Sequence, residues 1–268
     1  MFLGHIGLAL AAKRVARRPS LGTLCLAAQL PDGLWPLFLL LGWEEVRIVP
    51  GITPVTPLMF MSYPYSHSLL ACIVLGVLVG GIYYAKKQYL RGALWLAALV
   101  VSHWVLDWIS HRADMPLWPG SPRHGLGLWN SLALTLIVEF ALFAAGVWIY
   151  VQYTRPRDRW GKWLLASFVG VLVLVYLASV FGPPPPSVKV LAWSGLLGWL
   201  FLAWAYWIDR HRKRVDLDRK RSERHRARNK RRAERLLQGP SQGPPRDASR
   251  SSAQGMQHGT PRPDPAHR

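Results

Sequence analysis

Acidic residues are scarce in this chain, and cysteine is scarcer still. There are 14 aspartates and glutamates against 33 lysines and arginines, which gives a formal net charge of +19, and there are two cysteines. Cys25 and Cys72 lie within apolar runs and lack the spacing of metal ligands, so the sequence implies neither a disulfide framework nor a zinc knuckle. Lys13 and Arg14 follow the first apolar segment instead of preceding it, so we expect no cleavable signal peptide.

The charges that are present are segregated along the sequence. Most of the basic excess follows Ile208, whereas the region before it is dominated by apolar runs of membrane-spanning length. We therefore predict an all-α polytopic membrane protein with about six transmembrane helices and a short N-terminal membrane-inserted helix. The predicted spans are residues 21–43, 66–87, 90–111, 129–153, 163–181 and 189–208.

Three parts are predicted along the chain. Residues 1–208 form the membrane-embedded helical domain, residues 209–237 a basic cytoplasmic segment, and residues 238–268 a disordered tail rich in Gly, Pro, Ser and Gln. Anionic lipid headgroups are the simpler partner for the basic segment, and nucleic acid the less favoured one. The alternation of basic and less basic loops predicts that both ends of the chain are cytoplasmic.

The first apolar segment is too short to cross a bilayer. Twelve helical residues reach about 18 Å, against a hydrocarbon core of about 30 Å. We interpret residues 1–12 as a membrane-inserted helix that holds His5 inside the protein, because such a segment survives only when protein or a wet cavity surrounds it. An interfacial helix with a solvated histidine is the alternative.

The span at residues 21–43 carries Pro31, Asp32 and Gly33 near its middle. Proline removes a backbone donor and glycine relaxes the helix, so we expect a break there. An aspartate near mid-membrane costs roughly 2.5–3.5 kcal/mol, which favours a functional role for Asp32. A carboxylate that caps the second half-helix is the alternative.

The third apolar run ends in a stripe of ionisable side chains. His103, Asp107 and His111 recur every four residues and Asp114 follows three later, so a helix would place them on one face with a drift of about 40° per step. Imidazole and carboxylate groups together are typical ligands of zinc.

Other candidates come from three further segments. His67 opens the second full run with Ser66 as the expected helix cap, and Glu139 lies within the fourth run. With both ends cytoplasmic, His67, the stripe and Asp32 fall in the outer half of the membrane. The predicted metal ligands are His5, Asp32, His67, His103, Asp107 and His111, the predicted catalytic residues are Asp32, His67 and Glu139, and Ser66, Ser102 and Ser110 are expected to orient the histidines. The last two runs contain no histidine or acidic residue and are expected to be scaffold or lipid-facing.

Four short motifs carry a resemblance to a known family. Gly4-His5, Leu30-Pro31-Asp32, Ser66-His67-Ser68 and His103-x-x-x-Asp107 occur in this order within roughly the first 150 residues. Together they resemble the bacterial inner-membrane metal-dependent hydrolase family (YdjM-like), which is distantly similar to zinc-dependent phospholipase C. The resemblance implies a divalent metal, zinc, held by these histidines and aspartates. The family pattern often has Asp-x-Asp-His, whereas here Asp32 is followed by Gly33-Leu34-Trp35.

Two functions from different classes fit these observations. The first is a metal-dependent hydrolase of the bacterial inner membrane that acts at the outer face on a lipid or another membrane-associated ester or phosphoester. The second is a non-enzymatic transporter, permease or assembly factor whose buried histidines and aspartates relay protons or pair with one another. The polar residues are concentrated in the first three spans, which favours a site over a translocation path.

Overall fold

The structure is a computed structural model that describes residues 1–215, 226–231 and 234. Within these residues the chain is mostly helical, and six helical spans are long and apolar enough to cross a membrane, which confirms the predicted polytopic all-α class. The elements, in order, are α1 (Leu3–Ala12), α2 (Leu21–Leu40), β1 (Glu45–Ile48), β2 (Leu58–Ser62), α3 (Pro64–His67), α4 (Leu69–Lys87), α5 (Leu90–Ser110), β3 (Met115–Pro116), β4 (Arg123–His124), a 3₁₀ turn (Leu128–Asn130), α6 (Leu132–Tyr153), β5 (Thr154–Pro156), α7 (Arg159–Phe181), α8 (Val188–Leu196), α9 (Gly198–Arg210) and β6 (Arg212–Arg214). Helices α8 and α9 together form the sixth span.

The chain divides into two units, Met1–Leu217 and Asp218–Arg268. In the second unit, residues 226–231 are helical and exposed. The predicted tail at residues 238–268 and most of the basic segment at 209–237 lie outside the described residues.

Helix α2 is continuous, so the predicted break at Pro31 was wrong. Ser20 caps its first turn by accepting a hydrogen bond from Thr23 N, and the helix runs through both Pro31 and Pro36. In a membrane span, neighbouring helices can satisfy the backbone groups that a proline frees. The carbonyl of Ala28, one residue after the Ala27 carbonyl that Pro31 leaves without its helical donor, accepts a hydrogen bond from the His103 ring. Asp32 therefore projects from the middle of a helix and does not cap a half-helix.

The loop predicted between the first two full spans contains a β-hairpin. Strands β1 and β2 pair antiparallel, and the short helix α3 follows them with His67 as its last residue. Ser68, not the predicted Ser66, caps α4 by accepting a hydrogen bond from Ala71 N. Ser66 is therefore free to bond elsewhere, and His67 lies in the bend between two helices.

Helix α1 is buried in the protein. Its side chains Leu3, Ile6 and Leu10 are at most 3% exposed and belong to the main hydrophobic core, which also takes residues from α2, α5, α6, α7 and α9. The interpretation of α1 as a helix held inside the protein is thus favoured over an interfacial helix.

The basic segments of the first unit meet at one end of the helical bundle. The Lys13 ammonium lies 3.2 Å from an Asp209 carboxylate oxygen, and the Arg18 guanidinium lies 4.6 Å from the centre of the Tyr89 ring. Strands β5 and β6 pair antiparallel and join the loop after α6 to the segment after α9. The β1–β2 hairpin, α3 and the C-terminal end of α5 are at the opposite end, where the candidate site lies.

Candidate functional site

Five ionisable side chains from four helices converge in the helical bundle. His5 comes from α1, Asp32 from α2, His67 from α3, and His103 and Asp107 from α5. Their nitrogen and oxygen atoms form two overlapping groups, His5–His103–Asp107 and Asp32–His67–His103, in each of which the ligand atoms lie within 4.8 Å of one another. All are buried except Asp32, whose side chain is 37% exposed, so Asp32 is the carboxylate open to an entering molecule.

His103 is common to both groups, and its ring orientation is fixed by the backbone. Its Nδ1 lies 2.8 Å from the carbonyl oxygen of Ala28, a contact that requires the proton on Nδ1. Its Nε2 lies 3.1 Å from Asp107 Oδ2 and 3.6 Å from Asp32 Oδ1, yet among the described residues it has no partner in hydrogen-bond geometry. A ring nitrogen that faces two carboxylates can bind either a proton or a metal ion there, and imidazole nitrogen with carboxylate oxygen is a donor set that fits zinc.

His67 is oriented by a second hydrogen-bond chain. Ser66 Oγ donates its only proton to Glu44 Oε2 at 2.6 Å. The Ser66 oxygen must therefore be the acceptor in its 2.7 Å hydrogen bond with His67 Nδ1. The other Glu44 oxygen accepts from the backbone N–H groups of Tyr65 and Ser66. This leaves the lone pair of His67 Nε2 directed at the site, 3.3 Å from Asp32 Oδ1. A carboxylate that fixes the tautomer of a histidine through an intermediate group is typical of metal sites.

Asp107 is the centre of the cluster. Its Oδ1 lies 3.0 Å from His5 Nε2, and its Oδ2 lies close to both His103 and, at 3.7 Å, His67. The Met1 amino nitrogen also contacts its Oδ1. The His5 and His103 rings stack with centroids 3.8 Å apart. One buried carboxylate thus contacts three imidazoles.

Glu139 holds the helix that carries His5. Its carboxylate accepts hydrogen bonds from the backbone N–H groups of Phe2, at 3.0 Å, and Gly4, at 2.9 Å. A negative charge at a helix N-terminus is favourable, because the first N–H groups of a helix lack intrahelical partners. Glu139 therefore fixes the start of α1 while it also lines the cavity at the site.

His111 and Asp114 lie apart from the two ligand groups. Helix α5 ends at Ser110, so the predicted stripe continues only as far as Asp107 on the helix itself. His111 Nδ1 lies 3.0 Å from Asp114 Oδ1, and the Tyr63 hydroxyl donates to the same oxygen at 2.9 Å. Burial lowers the pKa of His111, and burial beside Asp114 raises the pKa of Tyr63 well above its usual value. At neutral pH the tyrosine is therefore a donor, and burial favours the neutral imidazole.

A cavity of about 410 Å³ opens onto the site. Among the described residues its lining includes Asp32, His67, Asp107, His111 and Glu139, together with apolar side chains of the hairpin and of the proline loop after α7. Tyr176 of α7 and Ser194 of α8 also line it. The last two spans were expected to be scaffold or lipid-facing, but they form part of the wall of this cavity.

Sequence reasoning found the converging side chains but missed Glu44, which orients His67 through Ser66. Glu44 had no signal in the sequence, because its role depends on the hairpin that folds it back onto Ser66. Of the serines expected to orient histidines, Ser66 does so, whereas Ser102 Oγ donates to the carbonyl of Leu99 in its own helix.

The fold and the cluster define the class of the protein: a multi-pass helical membrane protein with a buried histidine–aspartate site. The chain belongs to the YdjM inner membrane protein family, whose model matches residues 1–183. This match extends beyond the first 150 residues that carry the motifs and includes α7. Searches of curated proteins and of solved structures found no match. The family and the six apolar spans make this chain a multi-pass protein of the inner membrane.

Proposed function

We propose that this chain is a metal-dependent hydrolase that acts on a lipid or another membrane-associated ester or phosphoester. The observation that carries the proposal is the convergence of His103 Nε2 and His67 Nε2 on the carboxylates of Asp32 and Asp107. Imidazole nitrogens and carboxylate oxygens that lie within 4.8 Å of one another are the arrangement and the donor set that suit a divalent cation.

Zinc is the ion that the donor set suits best, since imidazole nitrogen and carboxylate oxygen are its usual ligands. His5, His103 and Asp107 would hold one ion, and Asp32 and His67 would complete the site beside the shared His103. A bound divalent ion supplies Lewis-acid activation of water and of an ester or phosphoester oxygen.

The side chains around the proposed ion have separate roles as base, orienting groups and substrate contact. Asp32 is the partly exposed carboxylate, and we assign it the role of the base that accepts a proton from the attacking water. Glu44 and Ser66 hold His67 in the tautomer that presents Nε2 to the site. Glu139 keeps His5 in place through the first turn of α1. His111, which lines the cavity without joining either ligand group, is left to contact the substrate.

The test is hydrolysis of labelled phospholipid in mixed micelles by purified protein. We expect turnover with added zinc, its loss after chelation, and a decrease of about 10²–10⁴-fold in kcat for Asp32→Asn, the range observed when a general base is removed. Ser102→Ala is the matched control, because this hydroxyl bonds only within α5. Absence of turnover, together with proton flux in proteoliposomes that Asp107→Asn abolishes, would instead establish the non-enzymatic, proton-relaying alternative.

We also propose that the site faces the outer side of the membrane. The basic segments gather at the opposite end of the bundle, and positive charge favours the cytoplasm. Exposed Glu45 on the hairpin and exposed Lys86 at the end of α4 provide the test, since both native cysteines are buried. In intact cells an impermeant maleimide is expected to label Glu45→Cys and to label Lys86→Cys only after permeabilisation. The reverse pattern would invert the orientation.

A further inference from the structure

A second cavity lies beside the first and differs from it in chemistry. It has a volume of about 190 Å³ and is lined by α1, α2, α7, α8 and α9. Its walls are apolar or aromatic except for Gln29 and Asp32. Phe2, Asp32 and Trp35 line both cavities, so the two adjoin at the carboxylate that we assign as the base. We call this second cavity the apolar crevice.

The apolar crevice is elongated along α2. Its lining on that helix extends from Cys25 to Pro36, a rise of about 16 Å at 1.5 Å per residue. It therefore runs along a membrane-spanning helix, in the direction of the surrounding lipid chains. Gly198 and Trp199 at its border are exposed, which leaves a lateral opening toward the bilayer. A Cβ built at Gly198 would meet no heavy atom of the described residues within 4 Å, so this part of the border faces open space.

We propose that the apolar crevice binds one hydrocarbon chain of the substrate, whose scissile group then lies beside Asp32 in the larger cavity. The proposal rests on the hydrolase function and names its substrate class: an amphiphile with a long chain directly attached to the polar part that reacts. The lining residues that the two cavities share, the apolar walls and the exposed border all support an occupant that enters from the bilayer.

The test uses an ether-linked lysophospholipid that carries a photoreactive diazirine near the end of its chain, added to full-length protein in detergent. Wild type is expected to be labelled saturably on crevice residues of α2, α7 and α9, and unlabelled lysophospholipid is expected to compete. In Leu202→Trp the larger side chain of a lining residue fills part of the crevice, and labelling is expected to fall at least about tenfold, since each methylene in an apolar pocket contributes a factor of roughly ten or more. Leu200→Trp is the control, because Leu200 of the same helix is 65% exposed and is not among the lining residues.

Equal labelling of Leu202→Trp and wild type, or labelling that does not saturate and spreads over the exposed face of α4, would overturn the proposal and identify the bound chains as bulk lipid. Labelling by the probe requires neither hydrolysis nor metal. Saturable labelling together with no turnover of the phospholipid in the micelle assay would therefore refute the hydrolase while leaving the chain site intact. Turnover of that phospholipid with unsaturable labelling would do the reverse.

Discussion

Purified protein supplied with zinc is expected to retain stoichiometric metal, and the double variant His103→Ala, Asp107→Ala is expected to lose it. His103 belongs to both ligand groups, and Asp107 contacts three imidazoles, so the variant removes the centre of the cluster. Loss of a partner that only orients a ligand already lowers metal affinity 10–100-fold, so the direct loss of two ligands should cost at least about 100-fold. Metal content by mass spectrometry after gel filtration measures the effect.

The control is His124→Ala, since His124 is exposed on β4 and lies in neither ligand group. The double variant also removes buried polar contacts, so a second variant guards against simple misfolding. In Ser66→Ala all proposed ligands remain, and the hydrogen bonds of the Ser66 hydroxyl to His67 Nδ1 and to Glu44 Oε2 are lost. An intermediate affinity is expected for it. Wild-type protein that retains no metal after exposure to zinc and manganese would refute the proposed centre.

The sequence predicted the fold class because membrane-spanning helices can be recognised from local amino-acid composition alone. Runs of apolar residues with basic loops between them need no tertiary information to be recognised. Asp32, His103 and Asp107 were recognisable for a related reason, since an ionisable side chain in an apolar span is costly unless it is used. The convergence of these residues followed from counting helical rise within each predicted span.

The errors arose where tertiary contacts override local preference. Pro31 is a helix breaker in isolation, yet α2 continues through it within a packed bundle. Ser66 and Ser68 are equally good caps by residue type, and only the turn after α3 decides that Ser68 is used. The role of Glu44 depends on a hairpin whose register the sequence did not indicate.

Helix α1 depends on α6 for its position, and a pair of glycines, Gly7 and Gly146, makes this contact possible. Gly7 and Gly146 face each other so closely that a Cβ built at Gly146 would lie 2.2 Å from the carbonyl oxygen of Gly7. A Cβ at Gly7 would in turn lie 2.7 Å from the carbonyl of Leu142. Small residues allow membrane helices to approach backbone to backbone, and here the approach brings His5 to Asp107.

Gly146→Ala is therefore expected to destabilise the protein, although alanine is the better helix former by about 1 kcal/mol. The added methyl group contacts backbone, which cannot rotate away, so α1 must shift, at a cost of about 3 kcal/mol or more. Gly170→Ala is the matched control in an open position, and there we expect no loss of stability or a small gain.

Thermal unfolding in detergent gives the sign of each change, and metal content links it to the site. Because α1 carries His5, a shift of this helix should lower metal affinity in Gly146→Ala while the control keeps it. Stability that rises equally in both variants would mean that α1 and α6 are not in backbone contact. A destabilised Gly146→Ala protein that binds metal like wild type would show that His5 is not a ligand. In that case α1 would have shifted while the ligands on α5 still held the metal.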